Sequence, residues 1–313
     1  MTAASGLPAL ELVVVTYRSR AQVEAMLAGL PEELPVVVVD NSDSDDGTRA
    51  LVEARPAGRY LRGGGVGFAR AANAGVRAAS ADVVVLVNPD TRPDLAALAA
   101  LAADLERDPA LLSSAALLVD GEGRGEMGAG GWEPSLLRTA VHASGLHGLR
   151  PSAGLYATPQ PGAPCRVDWT SGGCMAVRRS TFLELGGFDE DFYVYGEDVA
   201  LGRTARQRGL RQVLRTDVLV PSSSGGSGAP SLEMMRLRGA SFRRYAAKHH
   251  PAPVATAMGA VAAAGYLVRE LRARTKGDAA LASQHRAWAV GALTARATVA
   301  GRDVTGPLPP RSR

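Results

Sequence analysis

The sequence holds few of the residues that would commit it to a special class. It has two cysteines in 313 residues, Cys165 and Cys174, and their spacing matches no zinc motif, so a disulfide framework or a structural zinc site is not expected. They read as reduced thiols of a cytosolic protein. No basic segment precedes the apolar stretch of "MTAASGLPALELVVVTY", which therefore does not read as a secretory signal, and a cytoplasmic protein is expected. No internal repeat appears. Charged residues make up 21% and nearly balance, and hydrophobic residues reach 46%, so wholesale disorder is excluded and a sizeable core is available. The net charge of +4 comes almost wholly from arginine, which suits phosphate-bearing ligands or an anionic membrane face.

Short β-branched runs alternate with helical patterns. "ALELVVVTY" (9–17), "LPVVVVD" (34–40), a short strand from residue 59 and "ADVVVLVNPDT" (81–91) read as buried parallel strands. Helices are expected around 21–30, from Thr48, after the glycines of 63–67 and over 94–106. Strand and helix in alternation predict a parallel sheet with crossover helices. Ligands of such sheets bind beyond the carboxyl ends of the strands. The polar punctuation, Thr16-Tyr17, Asp40, the glycine turn and Asn88–Asp90, falls at those ends. Residues 120–164 are rich in Gly and Pro and read as long loops with short strands. A strand over 169–178, a short helix over 180–185, a helix over 199–209 closed by Gly209, a strand over 211–221 and a loop over 222–231 follow. The tail from Leu232 is mostly helical.

Each motif has a chemical and a purely structural reading. "GGGVGFARAAN" departs from a dinucleotide fingerprint because Phe68 stands where a third small residue belongs, so it is either a ligand-approaching turn or a tight turn only. Asp40 could accept hydrogen bonds from a base or ribose, while Asp43, Asp45 and Asp46 read as turn and cap residues. A calcium loop counted from Asp40 fails, because its twelfth position is Leu51. "VNPDT" puts a carboxylate at the tip of a buried strand, a natural ligand for a hard divalent cation carrying a diphosphate. Gly172 and Gly173 open space for a substrate against the backbone. Asp198, beside Glu197 at the start of a helix, reads either as a general base or as an ordinary N-terminal acid.

Taken in order over roughly residues 10–250, "VVVTY", "VVVVDNSDSDDGT", "GVGFARAANAGV", "VVVLVNPDT", "WTSGGCMAVRRSTFLELGGFDEDFYVYGEDVALGRTARQRG" and "FRRYAAKHHP" resemble glycosyltransferase family 2, the inverting transferases of GT-A fold, and within it the rhamnosyltransferase-like branch. The resemblance implies an α/β fold of GT-A type: a Rossmann-like, mixed, mainly parallel sheet flanked by helices, with a helical C-terminal extension. It implies a transferase domain over 1–231 (nucleotide half to about 119, acceptor half from about 120) and an extension over 232–313. Thr16, Tyr17, Asp40, Gly65, Asn73 and Asn88 would hold the nucleotide. Asp90 would be the ligand of Mg²⁺ or Mn²⁺. Trp169, Gly172 and Gly173 would form the sugar and acceptor site, and Asp198, with Glu197 beside it, the base. The implied partners are a UDP- or dTDP-sugar donor and a glycan or lipid-linked acceptor, with no nucleic acid. The alternative is a nucleotide-sugar binder, or slow hydrolase, without efficient transfer.

Three departures bear on this. Pro221 and Ser222–Ser224 stand where many relatives carry a His that joins the metal site. Ala200 replaces a second Asp, taking one partner from Arg203. Gly63–Gly65 stand where an Asn often precedes the turn. In the tail, the apolar run of "PVATAMGAVAAAGYLVRELRAR" (253–274) is shorter than the ~20 residues a bilayer crossing needs. Arg269, Arg272 and Arg274 follow it. It reads either as peripheral contact with the inner face of the plasma membrane or as a helix packed on the domain or on a homodimer partner.

Overall fold

Runs of valine with no charge between them can be buried on both faces only in the middle of a sheet, and three such runs form its centre. The computed structural model describes residues 8–42, 46–157, 161–162, 164–223 and 232–308, so Asp43, Asp45, Ser224 and most of the 222–231 loop lie outside the described residues. In chain order the elements are β1 (Leu10–Thr16), α1 (Arg20–Leu27), β2 (Val36–Asp40), α2 (Thr48–Glu53), β3 (Gly58–Arg62), α3 (Phe68–Ala78), β4 (Val83–Val87), α4 (Leu95–Arg107), β5 (Leu111–Val119), β6 (Gly130–Gly131) and α5 (Leu136–Ser144). They continue with β7 (Cys165–Val167), β8 (Trp169–Thr170), β9 (Cys174–Arg178), α6 (Arg179–Glu184), α7 (Glu197–Gln207), β10 (Arg211–Pro221), α8 (Leu232–His249), α9 (Ala252–Thr275), α10 (Ala279–Thr294), β11 (Thr298–Val299) and β12 (Arg302–Asp303).

The chain divides into two compact units: Met1–Gly131, Ala157–Asp189 and Leu201–Ser227 in one, Trp132–Tyr156, Glu190–Ala200 and Gly228–Arg313 in the other. The sequence places its boundary near residue 231. Packing instead groups 132–156 and 190–200 with the helical tail: Ala143 of α5 lies against Gly265 of α9, Phe192 and Ala200 pack against Tyr245, and Tyr193–Tyr195 against Leu237 and Ala240.

The first unit is an eight-stranded sheet in the order β3-β2-β1-β4-β9-β5-β10-β7. The four N-terminal strands are parallel, as their pattern requires. β9 runs antiparallel between β4 and β5, and β10 is parallel to β5. The sheet is therefore mixed and mainly parallel, with crossover helices, which is the expected GT-A architecture. Its core joins Val14, Val38 and Val85 to Leu98, Leu101 and Leu105 of α4. Each such fully buried side chain contributes roughly 1.5–3 kcal/mol.

Two elements escape the sequence reading. β5 carries Ser113 and Ser114 at its centre, which breaks the apolar pattern. Both are buried: Ser113 Oγ donates to Gln212 Oε1 at 2.8 Å, and Ser114 Oγ to Asp104 Oδ2 at 2.7 Å. Helix α5 lies within the stretch read as loops. Ser135 caps it, accepting from the Arg138 amide, and Gly145 ends it at φ 85°. The strand expected over 169–178 is two strands, because Gly172 and Gly173 break it: β8 pairs with β6, and β9 joins the main sheet. Both cysteines are free thiols.

In the second unit α8, α9 and α10 pack with almost no side chain between backbones. A methyl on Gly239 would lie 2.0 Å from the Trp288 carbonyl oxygen, and one on Gly291 would lie 1.9 Å from that of Arg236. Helix α9 corrects the reading of its length. It runs 24 residues, long and apolar enough in length and composition to cross a membrane, with an 18-residue window of mean hydropathy 1.2 of which 33% is buried. Arg269 and Glu270, which look in sequence like the end of the apolar run, are instead accommodated inside the helix on its packed side.

Candidate active site

The carboxyl ends of β1, β2 and β3 form one row, because Thr16, Asp40 and Arg62 are register partners. Thr16 is buried and its hydroxyl pairs with that of Ser19 at 2.7 Å. Tyr17 projects outward, with the Arg18 guanidinium 5.4 Å from its ring centroid. Arg18 has φ 51°, so the chain reverses sharply as it leaves the strand. Asp40 is buried with both carboxylate oxygens used: Oδ1 accepts from the Ser42 amide at 2.9 Å and Oδ2 from the Tyr60 hydroxyl at 3.0 Å. Next to it, Asn41 Oδ1 is buried without a hydrogen-bond partner among the described residues, a condition that costs ~1–3 kcal/mol unless another group donates to it. The glycine turn lies directly against this row. The Gly63 amide donates to the Asp40 carbonyl at 2.6 Å, a methyl on Gly63 would lie 2.9 Å from that oxygen, and Gly64 and Gly65 both have φ 71°.

Asn73 is engaged elsewhere. Its Nδ2 donates to the Phe188 carbonyl and its Oδ1 accepts from the Phe188 amide, both at 2.8 Å. A methyl on Gly187, which has φ 72°, would lie 2.5 Å from Asn73 Oδ1. These two hydrogen bonds hold the Gly-Gly-Phe-Asp loop across 115 residues of chain, which is a different task from touching a nucleotide.

At the end of β4, the Asn88 amide donates to the Gly173 carbonyl at 2.8 Å. The following residues are laced to the end of β10: the Arg92 amide donates to the Pro221 carbonyl, the Ser223 amide to the Asp90 carbonyl, and Thr91 bridges to Ser222. The end of β10, where the resemblance led us to expect His, therefore runs beside Asp90 and carries Ser222 and Ser223. Burial raises the Asp90 carboxyl above the usual range, opposed by its own backbone hydrogen bond and by Arg92. Among the described residues no three His, Cys, Asp or Glu side chains gather to hold a metal ion. A single desolvated carboxylate suits a hexahydrated-type cation such as Mg²⁺ or Mn²⁺ that takes its remaining ligands from phosphate and water.

Trp169 is buried beneath this surface, and Gly202 of α7 lies against it; a methyl on Gly202 would lie 2.3 Å from the Asp168 carbonyl. Gly172 and Gly173 are needed sterically. A methyl on Gly172 would meet the Phe68 ring at 3.3 Å, and one on Gly173 would meet Leu118 at 2.8 Å. Phe68, out of place in a dinucleotide fingerprint, has here a partner of its own in Phe188, with ring centroids 5.8 Å apart.

In the second unit, Tyr195 and Gly196 take φ 68° and 97° and turn the chain into α7, whose first turn holds Glu197 and Asp198. Glu197 is buried and its Oε2 has no hydrogen-bond partner among the described residues. Burial and the neighbouring Asp198 push its carboxyl well above the usual range. Asp198 Oδ1 accepts from the Val199 amide at 2.8 Å. Burial still raises the Asp198 carboxyl to about 6, against the pull of the backbone amides of the helix start. Sequence reading misses the surroundings of this pair. The Arg238 guanidinium stacks 4.5 Å from the Tyr195 ring centroid, and the buried Tyr156 phenol lies within electrostatic reach of both Asp198 and Arg238. The unpaired glycine after an aromatic in "YGED" is the only local signal for this turn. Arg203, despite Ala200, is not left without a partner.

Among solved structures, the fold is similar to the mannosyltransferase PcManGT of Pyrobaculum calidifontis, solved with GDP-Man and Mn²⁺, with TM-score 0.54 and 20% identity over 91% of this chain and 86% of that one. It is also similar to GalNAc-T7, solved with UDP, GalNAc and Mn²⁺, with TM-score 0.52 and 15% identity over 77% of this chain; the match spans half of that chain. At these identities the likeness is one of fold. In sequence, the chain is 34% identical over 212 residues to the N-acetylglucosaminyl-diphospho-decaprenol L-rhamnosyltransferase of Mycobacterium tuberculosis, covering 62% of this chain and 69% of the relative. With residues 12–185 also matching the family described as glycosyl transferase family 2, the chain belongs to that family and is a glycosyltransferase enzyme of GT-A fold.

Proposed function

We propose that this enzyme is an inverting transferase that moves a sugar from a UDP- or dTDP-sugar, of the dTDP-rhamnose or UDP-hexose kind, to a hydroxyl of a lipid-linked cell-envelope glycan. The observation that carries the reading is Asp198: a carboxyl at a helix start, raised to about 6, is ionised near neutral pH yet basic enough to take a proton. The name of the Mycobacterium tuberculosis relative supports a deoxyhexose donor and a diphospholipid acceptor. In this reading Asp198 removes the acceptor hydroxyl proton while that oxygen attacks the anomeric carbon opposite the nucleotide. Glu197 stands beside Asp198 in the same helical turn, its carboxyl pushed well above the usual range by burial and by that neighbour. Thr16, Tyr17 and Asp40 hold the base and ribose, with Asn41 Oδ1 offering an acceptor. Gly65 and Asn88 line the phosphate side and Asn73 shapes the loop at Phe188, while Gly172 and Gly173, whose missing side chains leave space taken by Phe68 and Leu118, act through close packing and Trp169 lines the acceptor side. Asp90 would hold Mg²⁺ or Mn²⁺, which supplies charge neutralisation of the departing diphosphate. The enzyme works at the cytoplasmic face of the membrane that holds its acceptor.

The test is transfer from dTDP-rhamnose and from UDP-hexoses to a short-chain GlcNAc-diphospholipid, with the anomeric configuration of the product read by NMR. One glycoside of inverted configuration supports the reading; retained configuration sinks it. Donor hydrolysis without glycoside favours the slow hydrolase, a reading supported by the serines beside Asp90 in place of His.

A further inference from the structure

Over most of its length, helix α9 turns an uncharged face outward. Two of its four charged residues face the protein: Glu270 is buried and pairs with the exposed Arg274 at 2.6 Å, and half-buried Arg269 donates to the His142 carbonyl at 2.8 Å. Its outer face is a single stripe. Pro253, Thr256, Ala260, Ala264, Leu267 and Leu271 follow one another at three- and four-residue spacing and are all exposed. Such spacing lines one side of a helix. Leu267 is 44% exposed and Leu271 63%, with Val268 beside them at 48%. The stripe is uncharged for roughly 27 Å at the rise of an α-helix. An outward face of that length normally carries the polar residues.

The stripe ends in cations. Arg272, Arg274 and Lys276 are exposed immediately beyond Leu271. Helix α5 packs against the other side of α9, where a methyl on Gly265 would lie 2.7 Å from Ala143 Cβ. The turn after α5 adds Leu146, 56% exposed, and Leu149, 87% exposed, followed by exposed Arg150. Leucines next to arginines recur on two neighbouring segments of the same unit. A second protein copy would be expected to offer acidic partners to these cations, whereas an anionic lipid surface satisfies both features at once, taking leucines into the acyl boundary and cations at the headgroups.

We infer that the outer face of α9, with Leu267, Val268 and Leu271 and the cations at its end, is a docking surface for an anionic lipid bilayer. The helix lies along the membrane and does not cross it, since its other side is packed and carries Arg269 and Glu270. The inference deepens the reading of a lipid-linked acceptor and rests on it for its purpose: docking would bring the enzyme to a substrate confined to two dimensions. The lipid contact itself is testable without donor or acceptor.

The experiment is flotation of the full chain with phosphatidylcholine vesicles, with and without phosphatidylglycerol. The wild type is expected to float with the anionic vesicles only, and less so in high salt. Leu267→Glu with Leu271→Glu should reduce the bound fraction about tenfold or more. Arg272→Glu with Lys276→Glu should lower it on anionic vesicles and leave circular dichroism unchanged. Absence of wild-type binding to anionic vesicles overturns the inference, as does undiminished binding of the leucine variant. So does a wild-type dimer in light scattering that the leucine variant splits, which would make a second copy the occupant. Turnover of a short-chain, water-soluble acceptor by the leucine variant at the wild-type rate supports a role confined to the membrane. If the wild type itself fails on that acceptor but floats, the transfer reading fails and the lipid surface stands.

Discussion

Asp40 and Glu197 are both buried carboxylates, one in each unit, and the structure treats them differently. Asp40 has a hydrogen-bond donor on each oxygen. Glu197 has a buried oxygen with no partner among the described residues and a second carboxylate as its neighbour in sequence. The first arrangement satisfies a carboxylate and holds a shape. In the second, burial and the neighbouring Asp198 push the Glu197 carboxyl well above its usual range, and burial raises Asp198 to about 6. The proposed holding and reacting groups thus lie on different parts of the chain, and each can be attacked separately.

The largest effect should come from Asp198→Asn, which removes the proposed base without changing the shape. Transfer should fall by ~10²–10⁴-fold while nucleotide binding, measured calorimetrically, stays at the wild-type level. The wild-type rate should also drop as pH falls through about 6, where the carboxyl takes its proton. Stability should run the other way. The folded pKa lies above the ordinary value of 3.8, so the folded state binds the extra proton, and stability should decline as pH rises from that value to about 6. Thermal melts across this window should show that slope in the wild type and a weaker one in Asp198→Asn.

Next in size is Asp90→Ala on the holding side. Titration with UDP, dTDP and GDP, each with and without Mn²⁺, should show one nucleotide whose binding Mn²⁺ strengthens, and the variant should lose the Mn²⁺ increment. Equal binding with and without metal in the wild type would remove Asp90 from the metal role. A third change tests the helical unit alone. Gly291→Ala puts a methyl where the Arg236 carbonyl already stands, and should cost ~1–3 kcal/mol in denaturant unfolding. The smallest effect expected is from Tyr60→Phe, which takes one donor from Asp40. It should cost ~0.5–1.5 kcal/mol of stability and weaken nucleotide binding without touching the pH profile of transfer. A shift in that profile would mean the two carboxylate systems are not separate after all.

The strands that carry the proposed donor side are legible because their signal is local. An uncharged valine run that stops at Asp40, or at Asn88-Pro89-Asp90, declares both a buried strand and its polar tip. β5 is not legible, since its serines are satisfied by Gln212 and Asp104, residues far off in the chain. Asn73 looks like a ligand residue in sequence. Only the fold shows its amide clasping Phe188. The surroundings of Asp198, with Arg238 over Tyr195 and Tyr156 nearby, come from three separated segments, and no spacing rule could assemble them.

By itself the sequence determined the parallel half of the sheet, the position of the glycine turn and the acidic pair at the start of α7. These depend on periodicity, on backbone freedom and on the order of neighbouring residues. Tertiary structure decided which polar groups are already satisfied and which are left wanting, and which face of α9 looks outward. Those outcomes depend on partners distant in the chain, because a side chain's environment is set by whatever folds against it.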